Sequence, residues 1–139
     1  MKDYIFIDSN IWIYSFIPAG KEKYIKVRAF LEECFKKYIT VVSFQVINET
    51  ICILKKKNFS ELQIRNIIRA FQSSCVIMQF SPEQLIKSSE LRETHNFSFW
   101  DSLIVSCAIL SNSRILYTED MQSGREIEGV KIINPFNNV

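Results

Sequence analysis

The stretch that decides the fold is Phe97-Ser98-Phe99-Trp100-Asp101-Ser102-Leu103-Ile104-Val105-Ser106-Cys107-Ala108-Ile109-Leu110. From Leu103 onward it is apolar almost all the way round a helix, which predicts a helix buried inside a packed domain. We expect this helix to begin at Asp101, where a carboxylate can satisfy free N–H groups and lie favourably in the helix dipole. Capping alone would explain Asp101, so any chemical role depends on residues elsewhere in the chain.

Predicted strands alternate with predicted helices on both sides of that stretch. Short β-branched and aromatic runs predict strands at 4–7, 38–42, 75–80, 114–118 and 130–133. Amphipathic spacing predicts helices over 22–37, 44–57, from 61 onward and from 82 to about 93, with a short helical turn at 11–16. This alternation predicts an α/β domain with a mainly parallel central sheet flanked by helices.

Composition sets broad limits on the function. At 139 residues the chain suits one domain, residues 1–139, and its net charge of +2 is too small to indicate nucleic-acid binding by bulk electrostatics. Its four cysteines form no Cys-x-x-Cys pair, and we interpret them as reduced core residues of a cytoplasmic protein. We expect no signal peptide and no membrane span, because the longest uncharged run falls well short of ~20 apolar residues.

Four carboxylates are expected at one edge of the sheet. The carboxyl ends of parallel strands share an edge with the beginnings of the helices that follow them, and ligands bind there. Asp8 follows the first strand, Asp120 follows the strand at 114–118, and Asp101 opens the buried helix. Glu49 lies about five residues into its helix, roughly 7 Å from the helix start, so its side chain can reach the same edge.

Stability alone does not explain such a cluster. Two carboxylates ~5 Å apart repel by about 3 kcal/mol at an effective dielectric near 20. A hard divalent cation would offset this repulsion, and with one histidine and no clustered thiolates the donor set favours Mg²⁺ or Mn²⁺ over zinc. Such a metal, singly or as a pair, can polarise a phosphoryl oxygen and activate water, which suits phosphodiester hydrolysis.

The residues resemble the PIN-domain ribonucleases, the fold used by VapC-type toxins of toxin–antitoxin pairs. The matching segments, in family order, are Phe6-Ile7-Asp8-Ser9-Asn10-Ile11, the glutamate of Gln45-Val46-Ile47-Asn48-Glu49, Phe99-Trp100-Asp101-Ser102-Leu103-Ile104, and Ile115-Leu116-Tyr117-Thr118-Glu119-Asp120-Met121 with Gly124 behind it. Each segment alone is a weak signal. Four such segments in family order over nearly the whole chain make a specific signal.

The resemblance implies a PIN-like three-layer sandwich in which Asp8, Asp101 and Asp120 hold Mg²⁺ or Mn²⁺. It implies that Glu49 binds the metal directly or through water and helps orient or deprotonate the attacking water. Further residues with implied roles are Asn10 and Thr118, which support the acidic residues by hydrogen bonds, and Glu119, which is an alternative to Asp120. The family also implies cleavage of single-stranded RNA, homodimers, and an antitoxin whose tail covers the site.

Other interpretations remain open. Singly, Asp8, Glu49 and Asp120 could be a turn residue, a solvated helix position and a loop carboxylate. A haloacid-dehalogenase-type phosphatase is disfavoured, because that family needs a second Asp two residues after the first and this chain has Asn10. The stronger alternative is a PIN-like module that binds RNA or protein without cutting. We expect the two tryptophans and most phenylalanines to be core or dimer contacts, and His95 to have no catalytic role.

Overall fold

A single six-stranded sheet forms the centre of the structure, a computed structural model that describes residues 1–137. The strands are β1 (Tyr4–Ile7), β2 (Ile39–Ser43), β3 (Val76–Met78), β4 (Ser113–Tyr117), β5 (Glu126–Ile127) and β6 (Val130–Ile133). Their order is β3-β2-β1-β4-β6-β5, and every neighbouring pair is parallel except β5–β6. Residues 138 and 139, the end of the domain predicted from sequence, lie outside the described residues.

Helices connect the parallel strands. They are α1 (Ser9–Tyr14), α2 (Glu22–Lys37), α3 (Phe44–Lys56), α4 (Glu61–Ser74), α5 (Pro82–His95) and α6 (Phe99–Leu110), with a 3₁₀ turn at Pro18–Gly20. Ser43, Ser60 and Ser81 cap α3, α4 and α5, each accepting a hydrogen bond from the N–H three residues later. The α/β fold class with a mainly parallel sheet is therefore confirmed. Across residues 1–137, no helix combines the length and apolar character needed to cross a bilayer.

The core lies around β1 and α6. Ile5, Phe6 and Ile7 are completely buried, as expected for a strand covered on both faces. Residues 102–108 of α6 are all buried, which confirms that this helix is internal. Because β1 is the middle of the parallel strands and α6 packs inside the domain, the residues at their ends are held on a rigid support.

The structure corrects the start of the central helix. Helix α6 begins at Phe99, two residues before Asp101, and Ser98 is its N-cap. The Ser98 hydroxyl accepts a hydrogen bond from the Asp101 N–H at 3.2 Å. Capping is thus performed by Ser98, and the Asp101 carboxylate is free of that task.

Several other expectations were wrong in detail. Leu62 and Ile68 of α4 are exposed rather than turned inward, because the buried stripe is Ile64, Ile67 and Phe71. Phe44 and Cys52 were also expected in the core and are exposed. Trp100, expected to be a core or a dimer contact, is exposed too, which excludes the core. The sequence analysis also missed β5, which forms an antiparallel hairpin with β6. Its two-residue loop is Glu128 and Gly129, and both have the positive φ that a type I′ turn requires.

Candidate active site

The candidate site lies where β1 and β4 end side by side. The two strands are parallel neighbours with Ile7 opposite Tyr117, so Asp8 and Thr118 follow at the same level. The chain runs from β1 outward through β2 and β3, and β4 returns on the other side of β1. The carboxyl edge between such strands is a topological switch point, the usual place for a ligand in an open parallel sheet.

Asp8 is the most buried carboxylate at this edge. Its residue surface is only 5% exposed. Its Oδ1 accepts a hydrogen bond from the Ser9 N–H at 2.7 Å, and its Oδ2 accepts one from the Thr118 hydroxyl at 2.9 Å. Asp8 therefore caps α1 while its carboxylate is fixed between the ends of two strands.

Burial raises the pKa of Asp8 from 3.8 to about 6. Desolvation is the largest cause, since the ionised form loses contact with water. The hydrogen bonds from Ser9 and Thr118 oppose this rise, whereas the negative charges of Glu49 and Asp120 add to it. Three of the four carboxylates expected at this edge thus interact electrostatically.

A hydrogen-bond network links Asp8 to Asp120 through Thr118 and Asn10. The Asn10 Nδ2 donates to Asp120 Oδ2 at 2.8 Å and to Thr118 Oγ1 at 3.3 Å. The Thr118 Oγ1 also accepts from the Asp120 N–H at 3.2 Å, and Asn10 Oδ1 accepts from the Glu119 N–H at 3.3 Å. Asn10 and Thr118 thus contact the acidic residues as the resemblance implies.

Glu49 reaches the site through Ser9. The Ser9 hydroxyl donates to Glu49 Oε1 at 3.2 Å and lies 3.5 Å from Asp8 Oδ1, so it joins α3 to the end of β1. Glu49 itself is exposed to solvent. The sequence analysis gave Ser9 no role, because a serine at the start of a helix is expected in any case as a capping residue.

Asp101 approaches the site from the start of α6. It is half-buried, and burial raises its pKa from 3.8; the Ser98 hydrogen bond opposes this rise, and the negative charge of Asp120 adds to it. The interaction with Asp120 connects Asp101 to the same group of charges as Asp8. The four expected carboxylates are therefore linked in pairs: Asp8 interacts with Glu49 and with Asp120, and Asp120 interacts with Asp101.

Glu119, the alternative to Asp120, is occupied elsewhere. Its carboxylate accepts a short hydrogen bond from the Tyr14 hydroxyl and forms an ion pair with Lys23, at 2.9 Å from the Lys23 Nζ to Glu119 Oε2. The Lys23 ammonium also donates to the Tyr14 hydroxyl at 3.0 Å. A glutamate neutralised in this way is a poor metal ligand, so the geometry favours Asp120.

The donor set suits a hard divalent cation, although the carboxylates do not form a closed cage. Within residues 1–137, no three His, Cys, Asp or Glu side chains come close enough together to hold a metal ion by themselves. Mg²⁺ is usually bound through one or two carboxylates, with waters and substrate phosphates completing its coordination. An edge that presents only carboxylate, amide and hydroxyl groups, with Asp8 fixed and Glu49 exposed, fits that kind of open site.

A comparison with protein-family models identifies the family. The model of the PIN domain matches residues 5–124, most of the chain and every carboxylate of the site. The chain belongs to the PIN-domain family. The family membership predicted from four short motifs is thereby confirmed. A comparison with curated proteins gave no match.

Several solved structures of toxin and toxin–antitoxin proteins share the fold of this chain. A toxin–antitoxin complex from Klebsiella pneumoniae superimposes with a TM-score of 0.71 at 22% identity, covering 94% of this chain and 97% of that chain. VapBC2 from Rickettsia felis, bound to a DNA fragment from its promoter, has a TM-score of 0.67 at 22% identity, with 93% and 96% coverage. The Mycobacterium tuberculosis toxin VapC20, described as cleaving the Sarcin-Ricin loop, has a TM-score of 0.68 at 15% identity, with 84% and 89% coverage.

Proposed function

We propose that this PIN-domain protein is a Mg²⁺- or Mn²⁺-dependent endoribonuclease that hydrolyses phosphodiester bonds in single-stranded RNA. One observation carries the proposal: the buried Asp8 carboxylate is fixed by Thr118 beside Asp120 and, through Ser9, beside Glu49. The structurally similar VapC20 is a toxin that cleaves the Sarcin-Ricin loop, which supports a cleavage function for this chain.

The cost of this arrangement supports a role in binding a cation. Burial disfavours the ionised form of Asp8, and the negative charges of Glu49 and Asp120 disfavour it further. A neutral residue at this position would not carry that cost. Perturbed carboxylates grouped at a sheet edge are typical of functional sites, and a divalent cation would reverse the penalty.

Each residue has a proposed task. Asp8, Asp101 and Asp120 would hold the cation, which would supply a Lewis acid for the scissile phosphate. Glu49, exposed and hydrogen-bonded to Ser9, orients or deprotonates the attacking water. The remaining residues, Asn10 and Thr118, hold the Asp8 and Asp120 carboxylates in position.

We further propose that the protein is a cytoplasmic toxin that forms a homodimer and is inhibited by an antitoxin. The structurally similar proteins from Klebsiella pneumoniae, Rickettsia felis and Salmonella typhimurium were each solved as toxin–antitoxin or VapBC assemblies. The Salmonella VapBC superimposes with a TM-score of 0.63 at 16% identity. A neighbouring reading frame that encodes a small protein able to copurify with this chain would support the pairing.

The direct test is incubation of the purified protein with a mixed RNA pool and Mn²⁺. We expect discrete cuts that are abolished by EDTA, by Asp8→Asn and by Asp101→Asn. Asp3→Asn is a matched control, because Asp3 is a partly exposed carboxylate paired with Arg114 rather than with the site. Cleavage that persists in both variants and in EDTA would contradict the metal mechanism.

A PIN-like module that binds RNA without cutting is the second candidate. The observation in its favour is that no three potential ligands among residues 1–137 converge closely enough to hold a metal alone. The same incubation separates the two candidates. RNA retained on the protein, with no cut that depends on Asp8 or Mn²⁺, would establish the binding module.

A further inference from the structure

A second recognition feature lies next to Glu49. The residues lining a cleft of about 350 Å³ are Gln45, Asn48, Glu49, Phe80 and Trp100. This volume falls at the small end of ligand pockets. Because Glu49 belongs both to the cleft and to the acidic site, a molecule in the cleft lies directly beside the proposed reaction centre.

The Gln45 side chain is buried and lacks hydrogen-bond partners. Its residue surface is 8% exposed, and neither Nε2 nor Oε1 has a partner among the described residues. Buried amides are almost always hydrogen-bonded, since leaving both ends unpaired is costly. The buried Gln45 amide therefore carries one donor and one acceptor without partners, at a residue that lines the cleft.

Exposed aromatic rings form the apolar part of the cleft. Trp100 is 63% exposed and Phe80 is 54% exposed, unusual values for side chains of this size. The Trp100 ring packs edge-to-face on Phe99, with ring centroids 5.0 Å apart at 83°, and the guanidinium of Arg92 lies over Phe99 at 4.8 Å. These contacts support the Trp100 ring from one side and leave most of its surface free.

We propose that this cleft binds one unpaired nucleobase of the RNA, next to the bond that is cut. Trp100 stacks on the base, and the Gln45 side chain turns toward the cleft, so that its amide hydrogen-bonds to the base edge with one donor and one acceptor. Aromatic rings provide stacking platforms for any base, whereas a Gln amide can pair bidentately with a base edge and so distinguishes among bases. The choice of RNA rests on the proposed function.

A nucleobase fits these observations better than a second protein copy does. An apolar dimer contact would cover Trp100 and Phe80 but would leave the Gln45 amide unsatisfied in a more buried setting. A base supplies a flat ring for the tryptophan and a polar edge for the amide at the same time. The cleft also adjoins Glu49, where the RNA is proposed to be cut. A base of that RNA would therefore lie beside the cleft, whereas a dimer partner need not.

The binding test uses the Asp8→Asn variant, so that RNA is not consumed, and short single-stranded oligonucleotides. The chain has only two tryptophans, and Trp12 is buried against Phe71 in the core, so Trp100 is the one that a bound base can quench. We expect oligonucleotides to quench tryptophan fluorescence, and Trp100→Phe to remove that quenching. Trp100→Ala should weaken binding by roughly 5- to 150-fold, the range typical of a stacked base. Unchanged fluorescence or unchanged affinity would overturn the proposal.

The recognition test uses sequencing of cleavage products. Gln45→Leu should reduce the preference for one base beside the cut by roughly 5- to 150-fold, while Gln72→Leu, an exposed glutamine on α4, should leave it unchanged. A preference unaltered by Gln45→Leu would reject this cleft and leave the nuclease function standing. If no variant cuts RNA, the fluorescence titration still decides whether a base binds. A dimer that dissociates in Trp100→Ala, with oligonucleotide affinity unchanged, would assign the cleft to a protein interface instead.

Discussion

Replacing Asp8 by Asn should abolish cleavage and yet stabilise the metal-free protein at neutral pH. The pKa of Asp8 rises from 3.8 to about 6 on folding, and each pKa unit corresponds to about 1.36 kcal/mol. Ionised Asp8 therefore lowers the free energy of unfolding by about 3 kcal/mol above pH 6. Because the folded state binds this proton more tightly than the unfolded state, that penalty develops between about pH 4 and pH 6 and is absent below pH 4.

Asparagine removes the charge and disturbs the hydrogen bond from Thr118, whose loss costs about 1 kcal/mol. The expected net gain for Asp8→Asn is thus about 2 kcal/mol at pH 7, and it should turn into a net loss of about 1 kcal/mol below pH 4. The measurement is urea unfolding in EDTA at a series of pH values. Asp3→Asn, the exposed carboxylate paired with Arg114, should change the stability by less than about 1 kcal/mol.

Two results would refute this reasoning. The first is an Asp8→Asn protein that is less stable than the wild type at pH 7 in EDTA, and the second is a stability gain that does not depend on pH. Adding Mg²⁺ extends the test, because a ligand that binds only the folded state stabilises it by an amount that grows with the logarithm of its concentration above Kd. The cation should raise the melting temperature of the wild type more than that of Asp8→Asn.

Three further substitutions test separate parts of the site. Thr118→Val should raise the pKa of Asp8 further and lower cleavage roughly 10- to 100-fold, which a pH–rate profile would show; an unchanged rate would contradict its positioning role. Glu119→Gln should cost at most about 1 kcal/mol through loss of the Lys23 ion pair and leave cleavage intact; loss of cleavage would show that Glu119 acts in the site. Gln45→Leu should raise the free energy of unfolding by about 1–2 kcal/mol, because it removes an unsatisfied buried amide, and a loss of stability in urea unfolding would contradict this.

The sequence was sufficient to predict which side chains lie at this edge of the sheet, because parallel strands impose its layout. Asp8 and Thr118 are 110 positions apart in sequence, yet each follows directly after a strand whose neighbour was inferred to run in the same direction. That both residues lie at the carboxyl edge of the sheet followed from topology, whereas the support of the acidic residues by Thr118 was implied by the family resemblance. The position of Glu49 near the same edge was predicted from the helical rise per residue.

Features that depend on which side chain makes a given contact could not be predicted from the sequence. Ser9 and Ser98 are both good capping residues, and only coordinates show that Ser98 caps α6 while the Ser9 hydroxyl joins Asp8 to Glu49. Gln45 looked like an ordinary polar position at the start of a helix, since burial without partners leaves no trace in a sequence pattern. Trp100 was expected to be a core or dimer contact, and only coordinates show that its ring is exposed beside the site.

The most direct test of the account is a titration of the metal-free protein with Mn²⁺, followed by electron paramagnetic resonance or calorimetry. The central claim is that Asp8, Asp101 and Asp120 form one cation site. We expect saturable binding to the wild type and to Glu119→Gln, and strongly weakened binding to Asp8→Asn and Asp120→Asn. Equal Mn²⁺ affinity in the wild type and in Asp8→Asn would contradict the claim.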